Sequence, residues 1–144
     1  MAVMVFEGMK ELEDALREAD LFDDAAAMQD ILSAGEAHLS QCIRNEIAKA
    51  PYNLKFVSNR LTRNKKVKKD QNGNYYLSVS VSGKNVRGEK NAVVAFVLNY
   101  GRAKEYGEIA GSYFWTRAVN KASNSILPVY EKVITEKYRE KGLI

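Results

Sequence analysis

The feature that most constrains the fold is a long stripe of apolar residues in the segment Asp24–Lys49. Its members recur at intervals of three or four, as one face of an α-helix requires. They are Met28, Ile31, Leu32, Gly35, Leu39, Cys42, Ile43 and Ile47. Proline disfavours helical dihedral angles in the residue before it, so Ala50-Pro51 ends the predicted helix, and Asp23 or Asp24 precedes it as a natural N-cap. Glycine costs about 1 kcal/mol relative to alanine inside a helix, and we therefore expect another backbone to approach closely at Gly35.

A hairpin is predicted after this helix. Asn72-Gly73, within the turn Asp70–Asn74, supplies the positive φ angles that a tight hairpin needs. Tyr75–Ser82 alternates apolar and polar residues, which is the pattern of a half-buried antiparallel strand. Leu61–Lys69 then forms the opposite arm of the hairpin.

Two further segments are predicted less directly. Ala92–Tyr100 is apolar on both faces, which indicates a second strand that is central or covered. Gly83–Asn91 connects it to the hairpin as a loop. Tyr52–Val57 is compatible either with a short strand or with a loop.

Helices are also predicted at both ends of the chain. The first covers Lys10–Ala19, and the last runs from Ser112 to about Lys141, where Pro128 should kink or split it near Leu127. One face of the last helix is traced by Phe114, Ala118, Ala122, Ile126, Val129, Val133 and Lys137. The expected fold is α+β in a single domain, residues 1–144. It has two N-terminal helices, a small antiparallel sheet with a long basic hairpin, and a long C-terminal helix packed on the sheet.

The composition excludes several classes of protein. A hydrophobic fraction of 46% in 144 residues is enough for one folded core and argues against wholesale disorder. No run approaches the roughly 18 apolar residues that span a bilayer, and the acidic N-terminal segment lacks the basic region of a secretory signal. The single cysteine, Cys42, is expected to be a small buried residue in a reducing compartment.

Charge is distributed unevenly along a chain whose net charge is +4. The first 24 residues carry eight acidic side chains against two basic ones. The run between residues 60 and 69 carries only basic ones, namely Arg60, Arg63, Lys65, Lys66, Lys68 and Lys69. This asymmetry indicates surfaces of opposite sign that meet, either between copies of the chain or with a partner.

Three interpretations of the basic run are open. It is a solvated hairpin arm whose lysines prevent edge-to-edge pairing, a contact for an acidic partner surface, or a contact for nucleic-acid phosphates. Aromatic residues are missing from the run itself and begin only at Tyr75 and Tyr76. Recognition of specific bases is therefore not predicted.

The sequence contains no pattern typical of catalysis or metal binding. His38 is the only histidine, and its place beside an apolar helical stripe is more typical of a partly exposed helix residue than of a base or a ligand. A zinc cluster needs several cysteines or histidines. Gly83–Gly88 has the glycines of a phosphate loop but lacks the Lys-Ser/Thr that completes one. We therefore expect a protein that is not an enzyme and that holds no cofactor or metal.

Five aromatic residues lie around the predicted corner between the second strand and the last helix: Tyr100, Tyr106, Tyr113, Phe114 and Trp115. Aromatic residues in such a corner most often pack in the core. The alternative is that they anchor an interface, a role for which tyrosine and tryptophan are favoured.

Several motifs follow one another along nearly the whole chain. Gly8–Leu12 has the form Gly-hydrophobic-x-x-Leu, the long helix ends at Ala50-Pro51, and Asn99-Tyr100-Gly101 follows the hairpin. Tyr113-Phe114-Trp115 and Ala118 then open the last helix. In this order and spacing the chain resembles the small head–tail joining proteins of long-tailed bacteriophages, also called neck or tail-completion proteins. It departs from their pattern by lacking Thr-Gly after Ala-Pro, by Asn99 in place of an acidic residue, and by Ser112 in place of a proline.

The resemblance implies a structural role in the virion, at the junction of neck and tail, after assembly in the host cytoplasm. Copies form a ring, expected to be hexameric, between a head-completion or adaptor protein and the tail terminator or tail tube protein. No membrane is involved. The acidic first helix of one copy and the basic hairpin of the next would complement each other, or the hairpin would instead reach into the channel and touch DNA. The alternative function is a small basic module that binds nucleic acid.

Overall fold

The computed structural model describes residues 2–3 and 25–142. The helices are α1 (Ala25–Lys49), α2 (Lys55–Asn59), α3 (Asn91–Tyr100) and α4 (Phe114–Glu140), and Lys104–Tyr106 forms a 3₁₀ turn. The strands are β1 (Ala2–Val3), β2 (Leu61–Arg63), β3 (Lys68–Lys69), β4 (Tyr75–Tyr76) and β5 (Ser78–Val81). The α+β class is confirmed. The predicted helix Lys10–Ala19 lies outside the described residues.

The two long helices form the frame of the molecule. Helix α1 confirms the predicted helix and ends before Pro51, and α4 continues through Pro128, so that proline does not split it. The buried residues of each helix follow rows of four-residue steps, which pack as ridges against the neighbouring helix. These rows are Ala27, Ile31, Gly35, Leu39 and Ile43 on α1, and Phe114, Ala118, Ala122, Ile126, Tyr130 and Ile134 on α4.

The C-terminal half of α4 buries a different stripe of residues from the predicted one. Tyr130 and Ile134 are buried, whereas Val129 and Val133 are only half-buried at the edge of the same cluster. Tyr130 also explains Gly35. A Cβ atom at Gly35 would lie 2.6 Å from the Tyr130 Oη atom, so the close approach comes from a side chain, and the prediction of a neighbouring backbone was wrong.

The sheet confirms the predicted hairpin and gives its register. Strand β5 is central in a three-stranded antiparallel sheet of order β1-β5-β2, with Leu61 opposite Val81 and Arg63 opposite Val79. Beyond a break in the pairing, β3 and β4 form a separate two-stranded sheet with Lys69 opposite Tyr75. The turn between them has Gly73 at φ 78°.

The prediction of a strand at Ala92–Tyr100 was wrong, because this segment is helix α3. Its buried residues are spaced by four, at Asn91, Ala95 and Asn99. A short apolar run fits a strand and a helix equally well by periodicity, and here the polar residues on the buried face concealed the helical spacing.

The segment Tyr52–Val57, predicted to be either a short strand or a loop, is partly helical. Helix α2 begins at Lys55, and Leu54 and Val57 are buried in the core. The hydroxyl of Tyr52 donates a hydrogen bond to the Ala110 carbonyl oxygen at 2.5 Å, which attaches this segment to the loop before α4. The main core cluster thus unites α1, α2, β5, α3 and the first half of α4.

Candidate functional site

An exposed apolar surface covers one side of α3. We call it the aromatic face and define it as Val93, Phe96, Tyr100 and Tyr113. Phe96 is 62% exposed. Its ring lies 4.7 Å from that of Tyr100, and the Tyr100 ring lies 6.4 Å from that of Tyr113 in an edge-to-face arrangement. The three rings are therefore neighbours on one surface, and Val93 lies one helical turn before Phe96 on the same side of α3.

Helix α3 has the reverse of the usual distribution of residues. A surface helix normally turns its apolar stripe to the core and carries charged residues outside. Helix α3 contains no charged residue, its buried positions are Asn91, Ala95 and Asn99, and the aromatic face points outward. The outward side chains are of the kind that is enriched in protein interfaces.

The buried asparagines hold α3 in this orientation. The Asn91 side-chain amide donates to the Ser82 carbonyl oxygen at 3.0 Å. The Asn99 Oδ1 atom accepts hydrogen bonds from the backbone N–H groups of Trp115 and Thr116, at 2.9 and 3.2 Å. Because these groups lie in the first turn of α4, Asn99 acts as the cap of that helix from outside it.

A pocket of about 250 Å³ lies beside the aromatic face. It is lined by Val81, Ala92, Ala95, Phe96, Asn99, Tyr100 and Trp115. Small-molecule sites usually have volumes of roughly 300 to 1,000 Å³, so this pocket is better matched to an inserted side chain than to a cofactor.

The five predicted corner aromatics are divided between core and surface. Phe114 is fully buried, so it has the core role that is more common at such a corner, and the alternative in which it anchors a partner was wrong for this residue. Trp115 is half-buried against the core and lines the pocket. Tyr100 and Tyr113 belong to the aromatic face, and Tyr106 is 73% exposed on the 3₁₀ turn.

The two arginines of the basic run differ from its lysines. The Arg63 Nε atom pairs with the buried carboxylate of Glu36 at 2.9 Å, and its Nη2 atom donates to the Ser33 carbonyl oxygen at 3.3 Å. Arg63 is therefore an anchor between the hairpin and α1. Arg60 is exposed at the junction of α2 and β2, where its side chain lies beside Gly83.

The remaining cations form what we call the lysine segment: Lys65, Lys66, Lys68 and Lys69. All four are exposed. The Lys69 Nζ atom lies 4.7 Å from the centre of the Tyr75 ring. Within residues 25–142 none of the four lysines makes an ion pair.

A second buried carboxylate joins the two long helices. Glu46 on α1 is almost fully buried and pairs with Lys121 and, at 3.0 Å, with Arg117, both on α4. The hydrogen bond from Lys121 holds the pKa of Glu46 below its usual range, against the opposing effect of burial. Glu36 behaves in the opposite way, because burial raises its pKa in spite of the Arg63 pair.

His38, Cys42 and Ser125 lie together between α1 and α4. The His38 Nε2 atom is 2.7 Å from the Ser125 Oγ atom and 3.8 Å from the Cys42 Sγ atom. The Ser125 hydroxyl also donates to the Lys121 carbonyl oxygen at 2.7 Å. The short contact of His38 Nε2 is thus with Ser125 and not with Cys42, and burial raises the pKa of the Cys42 thiol. The group forms an interhelical hydrogen bond.

Within residues 25–142, no three side chains of the metal-ligating types His, Cys, Asp or Glu are placed to hold a metal ion. The same part of the chain has no helix long and apolar enough to cross a membrane. No family model matches the chain, and searches of curated proteins and of solved structures found no significant match.

Proposed function

We propose that this protein is a structural component of the neck of a long-tailed phage and that it assembles into a ring through the aromatic face of α3. The observation that carries the proposal is the reversed distribution of residues on this helix. Phe96 and Tyr100 are more than half exposed on a helix without any charged residue, and exposed apolar surface of this kind typically marks a contact with another protein.

The geometry favours contact between different surfaces of neighbouring copies. The aromatic face lies beside a pocket of side-chain size, and a projecting group from a neighbour would fit there. A contact between two unlike surfaces repeats head to tail, and it closes into a ring when the rotation per copy allows it. The family resemblance supplies the location, between a head-completion protein and the tail terminator or tail tube.

The test is the mass of the full chain by light scattering, alone and mixed with head-completion and tail-terminator proteins of a phage that encodes it. The variants are Phe96→Asp and, as a matched control, Tyr106→Asp, which places the same charge at an exposed aromatic outside the aromatic face. We expect the natural chain and the control to form ring-sized species in at least one mixture. We expect Phe96→Asp to stay monomeric with unchanged helical circular dichroism.

Two results would contradict the proposal. The first is a chain that stays monomeric alone and with both neck partners. The second is a Phe96→Asp variant that assembles as well as the control, because a buried carboxylate without a partner is strongly unfavourable in an apolar interface.

A further inference from the structure

The lysine segment is held in place by a side chain from α1. The Gln29 Nε2 atom donates to the Lys65 carbonyl oxygen at 2.9 Å, and the Gln29 Oε1 atom accepts from the Val67 N–H at 2.6 Å. One amide side chain thus satisfies two backbone groups in the break between β2 and β3, as a neighbouring strand would. This Gln29 clamp fixes the backbone from which the lysines project.

Two more contacts fix the ends of the segment. The Asn64 Nδ2 atom donates to the Ser78 Oγ atom at 2.8 Å, next to the ion pair between Arg63 and the buried Glu36. At the tip, the Asp70 Oδ1 atom accepts the N–H groups of Asn72 and Asn74, each at 2.9 Å. The nearest acidic side chain in the sequence is therefore used to brace the turn. A surface that is ordered before binding loses less conformational entropy when it binds.

The chemistry of the segment favours phosphate over carboxylate as its partner. Lysine is depleted in protein interfaces, where arginine is enriched, and bidentate pairing with a carboxylate is a property of the guanidinium group. Lysine binds phosphates as a point charge. Duplex DNA presents about one negative charge per 1.7 Å of its axis, so several closely spaced lysines meet several phosphates at once.

We propose that the lysine segment, ordered by the Gln29 clamp, binds the phosphate backbone of duplex DNA without regard to sequence. The lysine segment and the Gln29 clamp lie on the hairpin and α1, so DNA binding does not depend on ring assembly through α3. Base recognition is no part of it, because residues 65–69 contain no aromatic side chain and the nearest ones, Tyr75 and Tyr76, are half-buried in β4.

The test is fluorescence anisotropy of a labelled random-sequence duplex of about 30 base pairs, titrated with the full chain between 50 and 200 mM salt, the interval over which phosphate contacts lose most of their affinity. We expect a slope of log K against log salt of about −3 to −4, which three or four neutralised phosphates produce. The triple variant Lys65→Ala/Lys66→Ala/Lys68→Ala should bind roughly tenfold or more weakly, with a slope near zero to −1.

Two further variants separate the proposal from a general effect of charge. Lys84→Ala/Arg87→Ala/Lys90→Ala removes the same charge from another exposed loop and should stay within about threefold of the natural chain. Gln29→Ala keeps every charge and should lose about three- to fivefold in affinity with an unchanged salt slope, because the segment must then be ordered on binding.

Equal losses in the two triple variants would overturn the proposal in favour of net charge alone, and absence of DNA binding at 50 mM salt would overturn it outright. If the lysine variant changed the mass of the protein in light scattering but not its DNA affinity, the segment would instead bind a second copy. Failure of ring assembly by Phe96→Asp leaves the DNA result unaffected, so the two proposals fail independently.

Discussion

At the scale of single residues, Asn99 joins α3 to the start of α4. It is almost fully buried, and its amide accepts from two backbone N–H groups of α4 while its Nδ2 atom donates to the Thr116 Oγ1 atom at 2.9 Å. Its backbone carbonyl oxygen also accepts the Tyr113 N–H at 2.8 Å. One residue thus fixes both the orientation of α3 and the start of α4.

We expect Asn99→Ala to lower the free energy of unfolding by about 1 to 3 kcal/mol, because a lost cap costs about 1 kcal/mol and buried N–H groups are left unpaired. Asn99→Asp should cost less, since a carboxylate still accepts both N–H groups and lies favourably at a helix N-terminus. Urea unfolding followed by the fluorescence of Trp115 measures both variants. If Asn99→Asp lowered the free energy of unfolding more than Asn99→Ala, the lost Nδ2 hydrogen bond to Thr116 or the cost of burying a charge would exceed the benefit of the retained cap.

Residue-scale contacts of this kind were not predictable from the sequence. The pattern placed Asn99 near the end of a predicted strand, but its role depends on a helix that begins fifteen residues later. The lysines of the hairpin were predicted from charge alone, whereas the Gln29 clamp spans a separation of 36 to 38 residues. The pairing of Arg63 with Glu36 across 27 residues likewise removes one cation from a run that looks uniform in the sequence.

At the scale of elements, the helices α1 and α4 and the hairpin were predictable, because apolar periodicity and the Asn-Gly turn are local signals. Helix α3 was not. Its pattern of buried asparagines and exposed aromatics follows from contacts with Ser82 and the start of α4, and not from its own amphipathicity. The failed prediction is itself informative, since local rules are broken mainly at functional or strained sites.

Helix α1 carries two buried glutamates, Glu36 and Glu46, that change the stability of the fold with pH in opposite directions. The pKa of Glu46 is lowered in the folded state, so the folded state binds its proton less tightly than the unfolded chain, whose value is about 4.3. The stability from Glu46 is present above that value and is lost as pH falls further. The pKa of Glu36 is raised, so the fold gains stability as pH falls towards about 4.3 from above.

Urea unfolding between pH 3 and 7 should separate the two groups. Glu46→Gln should be less stable than the natural chain at pH 7, and the difference should shrink as the pH falls below about 4. The free energy of unfolding of Glu36→Gln relative to that of the natural chain should be highest at pH 7 and should decrease as the pH falls towards about 4.3. Parallel pH profiles for both variants would contradict the opposite shifts assigned to the two carboxyl groups.

At the scale of the whole molecule, the core is divided into two clusters along the long helices. The main cluster joins α1, α4, α2, α3 and β5. The second cluster consists of Ala27, Met28, Ile31, Ile126, Tyr130 and Ile134, with Tyr75 packed at its edge. Within the described residues it is built almost entirely from two helices. Pro128 lies in this half of α4 and removes one backbone hydrogen bond from it.

Each candidate surface is attached to a different cluster. The aromatic face is supported by Ala95 and Phe114 in the main cluster, whereas the Gln29 clamp lies between Met28 and Ile31 in the second. Stability need not be uniform along a fold, and regions with fewer packed elements open at lower cost. The lysine segment should therefore become disordered when the second cluster opens, and this is the cluster that opens at lower cost.

Native-state hydrogen exchange tests this division. Amides near Ala118 and Ala122 should exchange only through global unfolding, while those near Ile134 should exchange through a partial opening with a smaller free energy. Ile134→Ala should lower the exchange free energy of the second cluster by about 2 to 5 kcal/mol, the usual cost of truncating a buried isoleucine. It should also release the Val67 amide, which donates to Gln29, earlier than the amides of α3. Equal exchange free energies along the whole of α4 would mean a single cooperative unit, in which the aromatic face and the lysine segment cannot be uncoupled by mutation of the core.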